Sequence, residues 1–188
     1  MKDFLSSNIR IGIVKYLEEI GISDPTEIQA KTIPVLLKHS GDFVGRSATG
    51  TGKTFAFGIP LLSRIDSSAG KIQAVVLVPT RELCEQVGKE LIALGNYIAD
   101  LKIEAIYGGV PLKSQIQNLS NGVHVMVATP GRLMDLIQRK VVNLSTLNFM
   151  VFDEADEMLS MGFIEDIEAI LNETPTNRQT ALFSATLP

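Results

Sequence analysis

The octapeptide VFDEADEM (151–158) sets four carboxylates, Asp153, Glu154, Asp156 and Glu157, within five positions directly behind the apolar run FMVF. Like charges that close repel, so a site that needs them supplies a cation or a proton shuttle. A second segment, GRSATGTGKT (45–54), offers the complementary chemistry. Successive backbone N–H groups in such a loop point at phosphate oxygens. Gly50 and Gly52 permit close approach, Thr49 and Thr51 belong with them to the nucleotide-binding loop, and the following helix adds its positive end. In this pattern Lys53 reaches the outer phosphates and the Thr54 hydroxyl coordinates magnesium. Asp153, at the end of an apolar strand, then reads as the carboxylate that holds the magnesium, directly or through water. Glu154 reads as the group that orients or activates the water attacking the γ-phosphate. Lys53, Asp153 and Glu154 are thus the candidate catalytic set of a phosphoryl-transfer site using a nucleoside triphosphate and Mg2+, where position and charge do most of the work. Acids at a helix N-terminus also favour the dipole, and that is the reading kept for Glu157.

These residues need a scaffold. Apolar, β-rich runs recur at 74–79, 103–107, 123–130, 149–153 and 180–186, and DFV (42–44) opens an earlier one. Between most of them lie helically spaced segments, such as 80–96 and 111–121, so the alternation is β-α-β. That pattern predicts an α/β fold, a mostly parallel sheet in three layers with helices on both faces and functional loops at the carboxyl ends of the strands. Two helices, roughly 8–20 and 26–38, read as an N-terminal extension (1–40) laid against a core of 41–188.

Composition fits a soluble globule: 188 residues, 45% hydrophobic and 20% charged. No apolar stretch reaches bilayer-spanning length and the first residues lack a secretory signal, so the expectation is a cytoplasmic protein without a membrane partner and a monomeric domain. The lone cysteine, Cys84, reads as a packed small hydrophobe. With a net charge of −4, any polyanion must be bound by local donors.

The motifs taken together resemble the DEAD-box ATP-dependent RNA helicases, specifically their N-terminal RecA-like P-loop domain. DEAD (153–156) occurs with PTREL (79–83), GG (108–109), TPGR (129–132) and SAT (184–186) in the family's order, over nearly the whole chain. Phe4 followed by GISDPTEIQ (21–29) resembles the family's adenine-sensing motif. The resemblance implies that Gln29 hydrogen-bonds the adenine edge, Phe4 stacks on the ring and Thr26 fixes the loop. Thr26 and Gln29 also have the spacing of a helix capping box, which competes for the same amide. By the same resemblance, Ser184, Thr186 and Asp156 couple hydrolysis to strand separation. Pro79, Thr80, Arg81, Gly108, Gly109, Thr129, Gly131 and Arg132 hold RNA through its sugar-phosphate backbone, a sequence-independent and salt-sensitive mode.

The chain departs from the family pattern in the phosphate loop, where Arg46, Ser47 and Ala48 replace Gln-Ala-Gln. Ser47 also stands where the general loop pattern asks for glycine. The loss of an amide side chain at Ala48 bears on nucleotide affinity or turnover, not on binding mode. The family's second RecA-like domain, with its arginine finger, is expected to follow SATLP, so the chain alone is expected to bind nucleotide and turn it over poorly. Two readings are carried: the N-terminal motor half of an RNA-unwinding or RNP-remodelling ATPase, and a nucleotide-dependent RNA- or protein-binding module without catalysis of its own.

Overall fold

The computed structural model describes residues 8–38, 41–48 and 50–186. The segments AVVL of β2 (Ala74–Leu77), VMVA of β4 (Val125–Ala128) and FMVF of β5 (Phe149–Phe152) are buried at every position. Strands covered on both faces read in this way, without polar alternation. They form the middle of a six-stranded sheet, completed by β1 (Phe43–Arg46), β3 (Ile103–Ile106) and β6 (Gln179–Ser184), in the order β1-β6-β5-β2-β4-β3. Every pairing is parallel.

Parallel neighbours require crossovers, and helices supply them. In chain order the described helices are α1 (Ile11–Glu19), α2 (Glu27–Lys38), α3 (Lys53–Arg64), α4 (Arg81–Leu94), α5 (Leu112–Ser120), α6 (Pro130–Gln138), α7 (Ala155–Ser160) and α8 (Ile164–Asn172). The period of two along each strand sorts its side chains into two cores. Val76, Val127, Val151 and Phe183 join one core with Leu17, Ile33, Phe57 and Leu91, from α1 to α4. Val75, Leu77, Met126 and Met150 join the other with Leu136, Met158 and Ile170, from α6 to α8. The result is the three-layer α/β arrangement the sequence predicts.

The two N-terminal helices share the first core: Ile13, Leu17, Ile33 and Leu36 are fully buried in it. Arg10 ties α1 to the end of α3, its Nη1 donating to the Ile65 carbonyl at 2.8 Å. Helix α2 lies against α3. This contact brings Gln29 to the loop that precedes α3. Cys84 is fully buried, its Sγ donating to the Val127 carbonyl at 3.2 Å, in keeping with its reading as a small packed residue.

Candidate functional site

The carboxyl ends of all six strands open on one edge of the sheet, where ligands of such folds bind. β1 runs into the glycine-rich loop, β5 into the acidic segment and β6 into SAT; β2, β4 and β3 run into PTREL, TPGR and GG. The sheet order therefore places loop, acids and SAT side by side, with the other three segments on the adjoining half.

The loop folds as a compact turn. Gly50 and Gly52 have φ of 74° and 88°, a region that side chains disfavour. A Cβ at Gly52 would also stand 2.5 Å from Gln29 Nε2. Gln29 is buried and uses both ends of its amide: Oε1 accepts from the Thr26 N–H at 3.0 Å, and Nε2 donates to the Gly52 carbonyl at 3.1 Å. The capping reading therefore holds, and the same side chain clamps the loop. One Nε2 hydrogen is left over. Phe4 and Thr49 lie outside the described residues.

Ser47 is more than a small substitute. Its N–H donates to the Ser184 carbonyl at 3.0 Å, and its hydroxyl bonds the Thr51 hydroxyl, which itself donates to the Ala48 carbonyl at 2.9 Å. Arg46 Nε donates to the Ala185 carbonyl at 3.3 Å. The positions that depart from the family pattern thus tie the loop to itself and to SAT.

Lys53 opens α3 and Asp153 follows β5; their side chains, 6% and 4% exposed, meet at 3.3 Å between Nζ and Oδ1. The contact has ion-pair distance without hydrogen-bond geometry, and both atoms lack a hydrogen-bond partner among the described residues. Burial pushes the Asp153 carboxyl above its ordinary range, opposed by Lys53. Glu154 is raised as well, first by burial, with Lys53 pulling down and Asp153 pushing up. A carboxylate with raised proton affinity is a better acceptor for a proton from water. Glu154 also holds φ 57° and ψ 50° at the start of α7, a left-handed conformation that costs a non-glycine residue on the order of 1–2 kcal/mol. Asp153, Glu154 and the loop residues Gly50, Gly52, Lys53 and Thr54 line a cavity of about 350 Å³, closed on one side by Leu83, Gln86 and Glu90 of α4. A neighbouring cavity of about 420 Å³ is shared by Lys53, Glu154, Asp156 and Thr186. A third, of about 480 Å³, lies beside Thr26, Ile28, Arg46 and Ser47.

Asp156 is locked to SAT. Its Oδ2 accepts from the Thr186 hydroxyl at 2.8 Å and from the Thr186 N–H at 3.0 Å. These bonds, the hydroxyl first, lower its pKa to about 2. The Ser184 hydroxyl donates to the Thr186 carbonyl, so it supports the latch from behind.

On the other half of the edge, Thr80 caps α4, its Oγ1 accepting from the Leu83 N–H at 3.2 Å. Arg81 is exposed, lies over the Tyr107 ring at 5.2 Å and pairs with Glu85 at 3.3 Å. Gly109, at φ 85°, turns its backbone toward Arg81; a Cβ there would stand 3.1 Å from Nη1. Gly108 and Gly131 are exposed, and Thr129 with Pro130 opens α6. Arg132 is held by Gln115 and the Val110 carbonyl. Pro79 is buried and has no N–H, and it shapes the turn that leads into Thr80 and Arg81. Tyr107, Glu85 and Gln115, which organise this half, carry no motif; their roles exist only through contacts across the fold.

The DEAD/DEAH box helicase profile matches residues 26–188. The chain belongs to that family. Among DEAD-box relatives, CshA of Streptococcus pneumoniae, a DEAD-box ATP-dependent RNA helicase, is 46% identical over 98% of this chain and 35% of its own length. The ATP-dependent RNA helicase DeaD of Mycobacterium tuberculosis is 48% identical over 98% of this chain and 33% of its own. The chain thus spans about a third of the length of the curated relatives it matches. A DEAD box protein from the hyperthermophile Methanococcus jannaschii superposes with a TM-score of 0.91 at 41% identity, over 96% of this chain and 49% of that one. A hypothetical ATP-dependent RNA helicase from Sulfolobus tokodaii gives 0.84 at 44% identity, over 94% and 51%. The six-stranded parallel sheet is therefore the RecA-like fold of DEAD-box helicases.

Proposed function

We propose that this chain is the ATP-binding motor half of an ATP-dependent RNA helicase, coupling ATP binding and hydrolysis to local unwinding of RNA or remodelling of RNP. The observation that carries the reading is the pair of buried, hydrogen-bond-orphaned atoms Lys53 Nζ and Asp153 Oδ1 at the mouth of a glycine-rich loop. Buried polar atoms are normally paired. A phosphate chain entering the loop would satisfy Lys53 Nζ, and a phosphate-bound cation would satisfy Asp153 Oδ1. No group of three acidic, histidine or cysteine side chains among the described residues is arranged to hold a metal unaided. Magnesium bound with ATP would be held on the protein side by Thr54 and Asp153. When bound, the ion offsets the charge of the phosphates and of the acidic segment.

The chain's own residues divide the rest of the work. Backbone N–H groups of 49–53 cradle the phosphates, and Lys53 neutralises the transferred group. Glu154, with its raised proton affinity, accepts a proton at its carboxylate from the attacking water. Gln29 uses its spare Nε2 hydrogen on the adenine edge, Thr26 holds that loop and Phe4 covers the ring. Residues 1–40 form this adenine-recognition extension and 41–188 the ATP-binding core. Because Asp156 follows Glu154 by two positions and is latched to Thr186, any shift of the acidic segment on hydrolysis is felt by SAT. Arg81, Arg132, Thr80, Thr129 and the backbone at Gly108, Gly109 and Gly131 line one ledge that binds RNA phosphates without reading bases. We further propose that the chain acts as a cytoplasmic monomer, with a second RecA-like domain facing this edge to supply an arginine and the rest of the RNA path.

The test is ATP hydrolysis and nucleotide binding with Mg2+, with and without single-stranded RNA, in the wild type and in Glu154→Gln. This chain alone is expected to bind nucleotide and turn it over poorly; with the second RecA-like domain present, the variant is expected to bind nucleotide as the wild type does and to lose turnover by about 10²–10⁴-fold. Turnover that is unchanged by Glu154→Gln would refute the catalytic assignment.

A further inference from the structure

Gln115, on α5, sits between the GG turn and the start of α6 and is 4% exposed. Both ends of its amide are engaged. Nε2 donates to the Tyr107 carbonyl at 3.2 Å, and Oε1 accepts from Arg132 Nη1 at 2.6 Å. Arg132 Nη1 and Nη2 each lie 3.4 Å from the Val110 carbonyl as well. The chemistry leaves one orientation: a guanidinium only donates and a carbonyl only accepts, so the bridging group must accept at one end and donate at the other. Burying an amide costs free energy unless it is bonded, and an apolar side chain of the same volume would fill the space without that cost. What an apolar side chain could not do is join the arginine to the turn.

The joined pieces are the ones the RNA reading uses. Tyr107 and Val110 bracket Gly108 and Gly109, and Arg132 belongs to TPGR. The bonds to Gln115 and Val110 leave the Nε hydrogen and one Nη2 hydrogen of Arg132 for a ligand. A long cationic side chain held in this way loses less rotamer entropy on binding.

We propose that Gln115 is a positioning residue for RNA: it seats the Arg132 guanidinium and the 107–110 turn as one unit, so that both meet the phosphates of one strand at fixed spacing. This rests on the RNA reading given above.

The experiment is a fluorescence-anisotropy titration of this chain with a labelled oligouridine at low salt, with Mg2+ and a non-hydrolysable ATP analogue. The variants are Gln115→Met, Gln115→Glu, Arg132→Ala and the double variant Gln115→Met/Arg132→Ala, each checked by thermal melting. Gln115→Met is expected to weaken binding about tenfold, the size of one charge-assisted hydrogen bond. Gln115→Glu, which keeps the acceptor for Arg132 but loses the donor to the Tyr107 carbonyl, is expected to fall between the wild type and Gln115→Met. The double variant is expected to bind no worse than Arg132→Ala alone, since Gln115 acts through that arginine; a merely structural role would make the two losses add. Wild-type affinity in Gln115→Met beside weakened Arg132→Ala overturns the inference and leaves the RNA reading standing, as do additive losses. If Arg132→Ala binds like the wild type, or the wild type does not bind, the RNA reading at this ledge fails and takes the inference with it. Should Gln115→Met not fold, Gln115→Glu with and without Arg132→Ala decides: losses of Gln115→Glu and Arg132→Ala that add in the double variant refute the seating.

Discussion

Replacing Lys53 by methionine should destabilise the fold in a pH-dependent way. The Lys53–Asp153 pair is 6% and 4% exposed and 3.3 Å apart. At that distance the Coulomb attraction is about 5 kcal/mol for an effective dielectric constant of about 20. Taking both ions out of water offsets most of it, so the intact pair is close to neutral for stability. Removing one partner is different, because Asp153 is then left buried and charged with nothing opposite; such losses are about 3–5 kcal/mol. The adjoining cavity admits water, which favours the lower end of that range. The sign with pH follows from Asp153, whose pKa in the fold already stands above its ordinary 3.8 because of burial, while Lys53 pulls it down. Without Lys53 it rises further. The folded state then takes up the proton before the unfolded state does, so the penalty is largest at alkaline pH and shrinks as pH falls through the raised value. Urea melts of Lys53→Met at two pH values, one mildly alkaline and one mildly acidic, measure it. The double variant Lys53→Met/Asp153→Asn removes both charges and should recover most of the loss at either pH. A loss below about 1 kcal/mol at alkaline pH, or the same loss at both, would refute the buried-charge reasoning.

Gly52→Ala should cost on the order of 1–3 kcal/mol in thermal or urea melts, because φ is 88° and the new Cβ would stand 2.5 Å from the Gln29 amide. For Asp156, whose pKa drops from 3.8 to about 2 in the fold, the stabilisation is present above the ordinary value and is lost as pH falls toward about 2. Asp156→Asn should therefore be less stable than the wild type at neutral pH, with the gap closing across that acid window in pH-dependent melts. The Cys84 thiol, fully buried and pushed up to about 12 by burial, should resist alkylation in the native protein and react at once in denaturant; fast native labelling would place it elsewhere.

Local pattern carries far in this chain. The apolar runs of β2, β4 and β5 announce strands covered on both faces, because a strand without polar alternation has no face left for water. The helices between them fall within a few residues of their sequence bounds, α4 at Arg81–Leu94 inside 80–96 and α5 at Leu112–Ser120 inside 111–121. The chemistry of Lys53, Thr54, Asp153 and Glu154 is legible for the same reason: loop glycines, a strand end and a helix start are local features, and residue types at such places have few uses.

Tertiary structure decided what depends on distance across the fold. Sequence places Gln29 in a capping box or against a base; only the packing of α2 on α3 gives its Nε2 the Gly52 carbonyl. Sequence offers Arg132 as a cation for the RNA backbone, and only the approach of α5 supplies the buried amide that seats it. Ser47 passes for a small residue until its hydroxyl meets Thr51 across the turn. The order β1-β6-β5-β2-β4-β3 gathers loop, acids and SAT on one half of the edge and PTREL, TPGR and GG on the other. The sequence by itself determined which residue types stand at strand ends and helix starts, since those follow from periodicity and turn chemistry within a few residues. Which of them become partners was decided by the crossovers, because a hydrogen bond or an ion pair needs two groups within a few ångströms and chain order alone does not set that distance.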